Sequence, residues 1–185
     1  MKQQLQRLAA IAALGFAGLA AQAAPVVVDV AGAQSINLQG EAGNTVWLID
    51  IGANAVLNAV DWSVVLNAFA PSSLSDMQVS FGNSSGLDAI NLAPDVADGY
   101  SGAGSYSGSF DLTGLGLAAG ADGLLRLEFS EAYKDFATNV AEGLWVSGSL
   151  TFDVTTAAAP EPGSAALALL ALGMVCLHAR RMRRH

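Results

Sequence analysis

Histidine, cysteine and basic residues are nearly missing from the middle of this 185-residue chain. Residues 24–159 contain no histidine and no cysteine, and their only bases are Arg126 and Lys134, set against fifteen acids for a net charge of −13. Ser-His-Asp triads, cysteine nucleophiles and zinc or copper sites built on histidine or cysteine are therefore excluded from this segment. Nucleic acid is excluded as a partner too, because binding to phosphates depends on Lys and Arg.

The scarcity of cysteine also limits the interactions that can stabilise the fold. Cys176 is the single cysteine, so no intramolecular disulfide can form. Residues 24–159 are enough for one domain with its own hydrophobic core. That domain must be held together by packing and hydrogen bonds alone.

The first 23 residues have the three parts of a secretory signal peptide. Two bases precede an apolar run over residues 8–20, which ends in Ala21-Gln22-Ala23, a cleavage site of small residues. We predict that the secretion translocon exports the chain and that cleavage after Ala23 leaves Ala24 as the new N-terminus. An N-terminal anchor that is not cleaved is the alternative.

The C-terminal end combines a short motif, an apolar segment and a basic tail. A linker over 156–162 contains Pro160-Glu161-Pro162, and residues 163–179 are almost entirely apolar. A helix over 163–179 would span about 25 Å, and arginines at its end can snorkel to offset the mismatch with a hydrocarbon core of roughly 30 Å. We therefore predict a single transmembrane helix in the inner membrane, with the tail 180–185 in the cytoplasm. The tail contains four arginines: Arg180, Arg181, Arg183 and Arg184.

This order of features resembles the C-terminal sorting signal of PEP-CTERM proteins, and the resemblance is confined to residues 160–185. The resemblance implies export by a Gram-negative bacterium that makes exopolysaccharide. It also implies processing by exosortase, a transpeptidase-like membrane enzyme, near Pro160-Glu161-Pro162. The processed protein would then reach the cell surface or the extracellular matrix. An ordinary stop-transfer anchor is the alternative interpretation.

The segment between the two ends has the hydrophobic pattern of an all-β domain. Short runs rich in β-branched and aromatic residues alternate in polarity and are separated by Gly, Pro, Asn and Asp. We predict a β-sandwich or jelly roll over residues 24–155, with loops at Gly82–Asp88 and Ala93–Gly108 and a loop or helical turn over Glu131–Glu142. The predicted strands are Val26–Val30, Ser35–Leu38, Thr45–Ile51, Val60–Ala68, Met77–Phe81, Ser109–Leu112, Leu124–Ser130 and Leu144–Val154.

The last of these strands has the clearest alternation. It places Leu144, Val146, Leu150 and the other even-numbered residues on the inner face. Trp145 then points outward and becomes the best candidate for stacking on a sugar ring. Packing at the edge of the sheet is the other role that an outward tryptophan takes.

Carboxylates are the remaining chemical groups in the exported part. Asp88, Asp95 and Asp98 offer the hard oxygen ligands that suit calcium, although the EF-hand spacing is missing. Their alternative role is to start turns and to keep the surface soluble. Glu128 with Glu131 or Asp135 would be the carboxylate pair of a glycosidase.

From these features we expect a non-enzymatic, exported protein with a structural or adhesive role, in an exopolysaccharide matrix if the resemblance holds. No cofactor is expected. Calcium is the one ion that the side chains of the exported part would suit. Two alternatives stay open. One is a carbohydrate- or calcium-binding module, and the other is a hydrolase that uses acidic residues.

Overall fold

The computed structural model describes residues 23–156, and in this range the fold is all-β, as the sequence predicts. A 3₁₀ turn at Leu74–Asp76 accompanies the strands. The strands are Ala23–Asp29 (β1), Gln34–Ser35 (β2), Thr45–Asp50 (β3), Val56–Ala68 (β4), Met77–Asn83 (β5), Ala89–Leu92 (β6), Gly102–Asp111 (β7), Leu124–Glu131 (β8) and Gly143–Thr155 (β9).

The strands form two antiparallel sheets. The first sheet has the order β1-β9-β4-β7, with β2 also paired to β9, and the second has the order β3-β8-β5-β6. Most strands are followed in the chain by a strand of the other sheet. The connections therefore run between the sheets.

The two sheets share one hydrophobic core, which gives the domain a sandwich-like arrangement. Phe81 of β5 and Phe152 of β9 meet edge to face with ring centroids 5.2 Å apart, and Phe129 of β8 meets Trp145 of β9 at 5.0 Å. All four rings are fully buried. Such edge-to-face pairs add to the free energy gained from burial.

Strand β4 lies between β9 and β7 and is longer than the sequence predicts. It begins at Val56, four residues before the predicted start at Val60. Val60, Val64 and Leu66 are buried on one face, whereas Asp61 and Ser63 on the other face are exposed. The predicted faces of this strand are confirmed.

The predicted faces of β9 are wrong at its N-terminal end because the strand contains a β-bulge. Val65 pairs with Ser147 but Leu66 pairs with Trp145, so Val146 is an extra residue without a partner. The bulge turns Trp145 into the core with no exposed surface, and it leaves Val146 43% exposed. Beyond the bulge, the even-numbered residues Leu150, Phe152 and Val154 face inward as predicted.

Next to the bulge, Gly148 allows β4 to approach closely. Its φ of +109° lies in a region that favours glycine, and a Cβ atom here would overlap the backbone carbonyl of Ser63. Any larger residue would push the two strands apart. The local distortion of β9 therefore depends on this glycine.

The loop predicted over Ala93–Gly108 is wrong in its second half. Gly102–Asp111 is a ten-residue strand that pairs with β4 from Ala68 to Ala59 without a register shift. Glycine and serine have low strand propensity, so this segment has the composition of a loop. Pairing with a long, regular neighbour outweighs that preference.

Other boundaries differ in smaller ways. The predicted strand Ser35–Leu38 is wrong except for Ser35, because β2 is Gln34–Ser35, and Ala89–Leu92 is a strand that the sequence analysis did not predict. No helix in residues 23–156 is long and apolar enough to cross a membrane. The predicted transmembrane helix over 163–179 lies outside the described residues, as does the signal peptide except for its last residue, Ala23.

Candidate functional site

Two buried glutamates at neighbouring strand ends form the most unusual electrostatic feature of the domain. Glu131 is the last residue of β8 and Glu142 immediately precedes β9, and neither has exposed surface. Burial of a carboxylate is costly unless hydrogen bonds or an opposite charge compensate for it. The two glutamates differ in how far they are compensated.

Glu142 is fully compensated. Lys134 Nζ lies 2.7 Å from its Oε1, and the backbone amides of Asp135 and Phe136 donate to its two oxygens at 2.9 and 3.0 Å. Burial acts to raise the pKa of Glu142, but the hydrogen bonds from Lys134 and these amides outweigh it and lower the pKa. Glu142 thus organises the loop between β8 and β9, which contains no helical turn.

Glu131 lacks such partners. Neither of its oxygens makes a hydrogen bond of normal geometry within the described residues. Burial, followed by the negative charges of Glu142 and Asp76, raises the pKa of Glu131 to about 8, and the neighbouring Ser35 hydroxyl and Lys134 oppose this only in part. The protonated form of Glu131 is therefore favoured at neutral pH.

Two carboxyls whose pKa values are shifted in opposite directions are typical of acid–base catalysis. Catalysis also requires that a substrate reach both groups. Glu131 and Glu142 are each 0% exposed, so this pair lies beneath the surface rather than in a cleft. The pair therefore consists of a compensated carboxylate and a buried carboxyl that has no hydrogen-bond partner within the described residues.

The predicted pair of Glu128 and Glu131 does not assemble. Glu128 lies on the face of β8 opposite to Glu131, since the two are three residues apart on a strand. Arg126 Nη1 lies 2.8 Å from Glu128 Oε2, while the Gly40 amide and Asn44 Nδ2 donate to Oε1 at 2.8 and 2.7 Å. Burial opposes these contacts, but together they lower the pKa of Glu128. These hydrogen bonds to Glu128 link the loop before β3 to strand β8 of the second sheet.

The three aspartates predicted for calcium each accept hydrogen bonds from the protein. Asp88 accepts from Asn83 Nδ2 at 2.8 Å. Asp95 accepts from the backbone amide of Asp98 at 2.6 Å, and Asp98 accepts from the Tyr106 hydroxyl at 2.7 Å. Within residues 23–156, no group of three or more His, Cys, Asp or Glu residues is placed to hold a metal ion. The structure therefore does not bring these three aspartates together as a metal site.

The predicted sugar-stacking residue is in the core. Trp145 has no exposed surface, packs against Phe129, and donates from Nε1 to the Ser35 hydroxyl at 3.3 Å. A ligand cannot reach its ring. The bulge at Val146 is the reason, and no sequence signal marks it.

A surface that the sequence analysis missed is the outer side of the first sheet, here called the hydroxyl face. It is formed by outward residues of β4, β7 and β9, which pair side by side in the sheet. A shallow depression of about 370 Å³ lies on it, lined chiefly by small side chains. The serines of this depression are Ser63, Ser105, Ser107 and Ser147. The alternation of serine along β7 is the signal by which the sequence could have indicated it.

The residues predicted for export and sorting lie almost entirely outside the described range. Ala23 and Ala24, on either side of the predicted cleavage point, begin β1 and pair with Thr155 and Val154. The structure therefore tests neither the predicted cleavage after Ala23 nor the predicted sorting signal.

Residues 158–184 match the family model of the PEP-CTERM protein-sorting motif. The C-terminal region is a PEP-CTERM sorting motif. The match confirms the resemblance found in residues 160–185, and it includes Pro160-Glu161-Pro162 and all four arginines of the tail. The PEP-CTERM motif indicates an exported protein that an exosortase sorts and processes.

Several solved structures are distantly similar to this chain. The serine protease of Aeromonas sobria, in complex with its chaperone, is 15% identical with a TM-score of 0.44, covering 80% of this chain and 30% of that one. The VP2 subviral particle of infectious bursal disease virus is 13% identical with a TM-score of 0.40, covering 77% of this chain and 34% of that one. The CBM22-1 xylan-binding domain from Paenibacillus barcinonensis Xyn10C is 12% identical with a TM-score of 0.33, covering 75% and 100%. At these scores none of them informs the function. No curated protein matches the chain.

Proposed function

We propose that this protein is a non-enzymatic component of the cell surface or extracellular matrix, delivered there by its PEP-CTERM motif. The motif over residues 158–184 carries the proposal, since it indicates export and exosortase processing. The C-terminal helix anchors the chain in the inner membrane until it is processed near Pro160-Glu161-Pro162. The exported domain then has a structural or adhesive role, in keeping with an exopolysaccharide matrix.

We further infer that the domain is a jelly-roll sandwich. The strand order β1-β9-β4-β7 against β3-β8-β5-β6, with most connections crossing between the sheets, supports this topology. Such a sandwich is stable without disulfides or metal when its core is continuous. It suits a protein that must stay folded outside the cell with a cysteine-free domain.

Two observations support a role without catalysis. The exported part has no histidine and no cysteine, which are the side chains that most often act as base or nucleophile near neutral pH. The carboxyl with the most strongly raised pKa in the described range, Glu131, is fully buried. A screen of the purified protein against polysaccharides, glycosides, esters and peptides should give no turnover, and hydrolysis abolished by one Asp or Glu substitution would overturn the proposal.

Sorting is tested in the native host with two variants of the full chain. Deletion of residues 160–185 should release soluble protein beyond the inner membrane, because both anchor and motif are removed. Substitution of Pro160 and Pro162 by Ala keeps the apolar segment, so this variant should stay in the membrane fraction at its unprocessed size. Normal processing of the Pro160→Ala/Pro162→Ala variant would contradict the assigned role of the motif.

Carbohydrate binding is a second candidate function, and the hydroxyl face favours it. Ser63, Ser105 and Ser147 line an open depression in which hydroxyls can exchange hydrogen bonds with a polysaccharide. Electrophoresis through a gel containing the host's exopolysaccharide should then retard the wild type more than a Ser63→Ala/Ser147→Ala variant. Ser109→Ala, on the same face but outside the lining, is the matched control. Equal mobility of all three proteins with and without polysaccharide would reject this candidate.

A further inference from the structure

The long free edge of the first sheet is the feature that the proposed function does not use. Strand β7 pairs with β4 on one side, and its other side ends the sheet. Within residues 23–156, no hydrogen bond to the backbone of residues 103–110 is made from outside the β4 ladder. A row of backbone donors and acceptors is therefore available along most of the strand.

The hydrogen-bonding pattern identifies which residues carry these free groups. The Leu112 amide donates to the Asn58 carbonyl at 2.8 Å, one pair beyond the ladder in which Ala59 is opposite Asp111. Hydrogen-bonded pairs alternate along an antiparallel ladder, so the even-numbered residues of β7 bond to β4. The odd-numbered residues present their N–H and C=O groups to the free edge, and all of them are exposed: Ala103, Ser105, Ser107, Ser109 and Asp111.

This edge lacks the features by which proteins usually block strand addition. It runs for ten residues without a proline, a lysine or a bulge, and it has no charge before Asp111. The other sheet edges are less available. Pro25 interrupts β1, β6 has four residues, and the Thr45 hydroxyl of β3 exchanges hydrogen bonds with the backbone of Gln34.

The sequence of β7 is complementary to itself when two copies are placed antiparallel about Ser107. In this register Ser105 lies opposite Ser109 of the second copy, so small hydroxyl residues meet on the outer face. On the inner face, Phe110 lies opposite Gly104 of the second copy. Phe110 is 46% exposed, and the Tyr106 ring covers Gly104 so closely that a Cβ added there would overlap it, so the incoming aromatic meets another ring.

Charge favours the same register. The described domain carries thirteen more acids than bases, so two copies repel each other over most of their surface. Residues 102–110 are uncharged and form the stretch where two copies can approach. Pairing about Ser107 places Asp111 opposite Ala103 of the second copy, which keeps the two Asp111 carboxylates at opposite ends of the interface.

We propose that the β7 edge is a self-association surface on which a second copy of this chain adds its own β7 in antiparallel register about Ser107. The pairing joins two copies of the five-stranded first sheet into one continuous sheet across a two-fold axis. Because the same edge is used by both copies, the association closes at the dimer. For a surface or matrix protein, such a dimer would double the hydroxyl face.

Disulfide trapping in single-cysteine chains tests the register directly. The full chain is purified in detergent, with the native cysteine removed by Cys176→Ser. In this background, Ser107→Cys places the thiols of the two copies on directly opposite residues. Their Cα atoms are about 5.5 Å apart, within the range that a disulfide spans. Mild oxidation should give a disulfide-linked dimer. Ser147→Cys, on the same face but in the inner strand β9, is the matched control and should stay monomeric on a non-reducing gel.

Mixed chains sharpen the test. Ser105→Cys and Ser109→Cys should cross-link when mixed but not when each is oxidised alone, because only the mixture puts two thiols opposite each other. Cross-linking of Ser107→Cys no greater than that of Ser147→Cys would overturn the proposal. Cross-linking of Ser107→Cys to a different protein in the host envelope would overturn it as well, since the edge would then serve another partner.

Two edge variants test association without cross-linking. Ser107→Pro removes an amide N–H that faces the free edge, and it leaves all hydrogen bonds to β4 in place. Ser107→Lys places two like charges opposite each other in the dimer. Both should shift the detergent-solubilised full chain from dimer to monomer in analytical ultracentrifugation. Ser147→Lys is the control and should remain dimeric. Melting temperatures equal to that of the wild type, measured at a dilution at which the wild type is also monomeric, separate loss of pairing from unfolding. Dimers that persist in a folded Ser107→Lys variant would refute the proposed pairing through β7.

Discussion

Replacement of Glu131 by Gln should stabilise this protein at neutral and alkaline pH, and by an amount that grows with pH. In the folded state, burial and the neighbouring carboxylates raise the pKa of Glu131 from 4.5 to about 8. In the unfolded chain the same carboxyl ionises near its ordinary value. Between these two pKa values the unfolded state loses a proton that the folded state keeps, so the wild type becomes less stable as pH rises.

The magnitude follows from the size of the shift. Each pKa unit corresponds to about 1.4 kcal/mol, so three units between pH 4.5 and pH 7.5 amount to about 4 kcal/mol. Gln has the same shape as a protonated Glu and does not titrate. The Glu131→Gln variant should therefore resemble the wild type at pH 4.5 and exceed its free energy of unfolding by about 4 kcal/mol at pH 7.5.

Urea unfolding followed by tryptophan fluorescence between pH 4.5 and pH 8.5 measures this difference. Glu128→Gln is the control on the same strand, and its difference from the wild type should not grow with pH over this range. Because the pKa of Glu128 is lowered by Asn44, Arg126 and the Gly40 amide, its contribution to stability is present above its unfolded pKa and is lost as pH falls. A difference between Glu131→Gln and the wild type that is the same at every pH would refute the reasoning.

The remaining predictions concern export, packing and ion binding. N-terminal sequencing of the exported protein should begin at Ala24, and a chain that still starts at the initiator methionine would contradict cleavage. Phe152→Ala should cost about 3–5 kcal/mol in urea unfolding, since the ring is fully buried against the opposite sheet, and a loss below about 1 kcal/mol would count against the shared core. Gly148→Ala should lower the melting temperature because it adds a Cβ where β4 comes closest, whereas an unchanged melt would mean that β9 can relax. Titration with calcium should leave the melting temperature unchanged, since the structure does not bring Asp88, Asp95 and Asp98 together as a metal site; a rise that Asp95→Ala abolishes would contradict this.

Much of the all-β architecture is determined by the sequence alone. The alternation in Leu124–Glu131 and most of β9 is local, since one polar and one apolar face follow directly from the pleat of a strand. Thr45–Asp50 is predictable for another local reason, its richness in β-branched and aromatic residues. The sorting motif is equally local, because it is read as a linear order of residues. The lack of histidine and cysteine limits the available chemistry before any fold is known.

Interactions between distant residues decide the rest. Trp145 is buried because β9 contains a bulge, and the bulge exists only in relation to the register of β4. Gly102–Asp111 is a strand because a long neighbour pairs with it, which outweighs its loop-like composition. The raised pKa of Glu131 likewise arises from burial and from Glu142, which is eleven residues away in the chain. Pairing register, burial and proximity are properties of the folded chain, so periodicity and composition cannot reveal them.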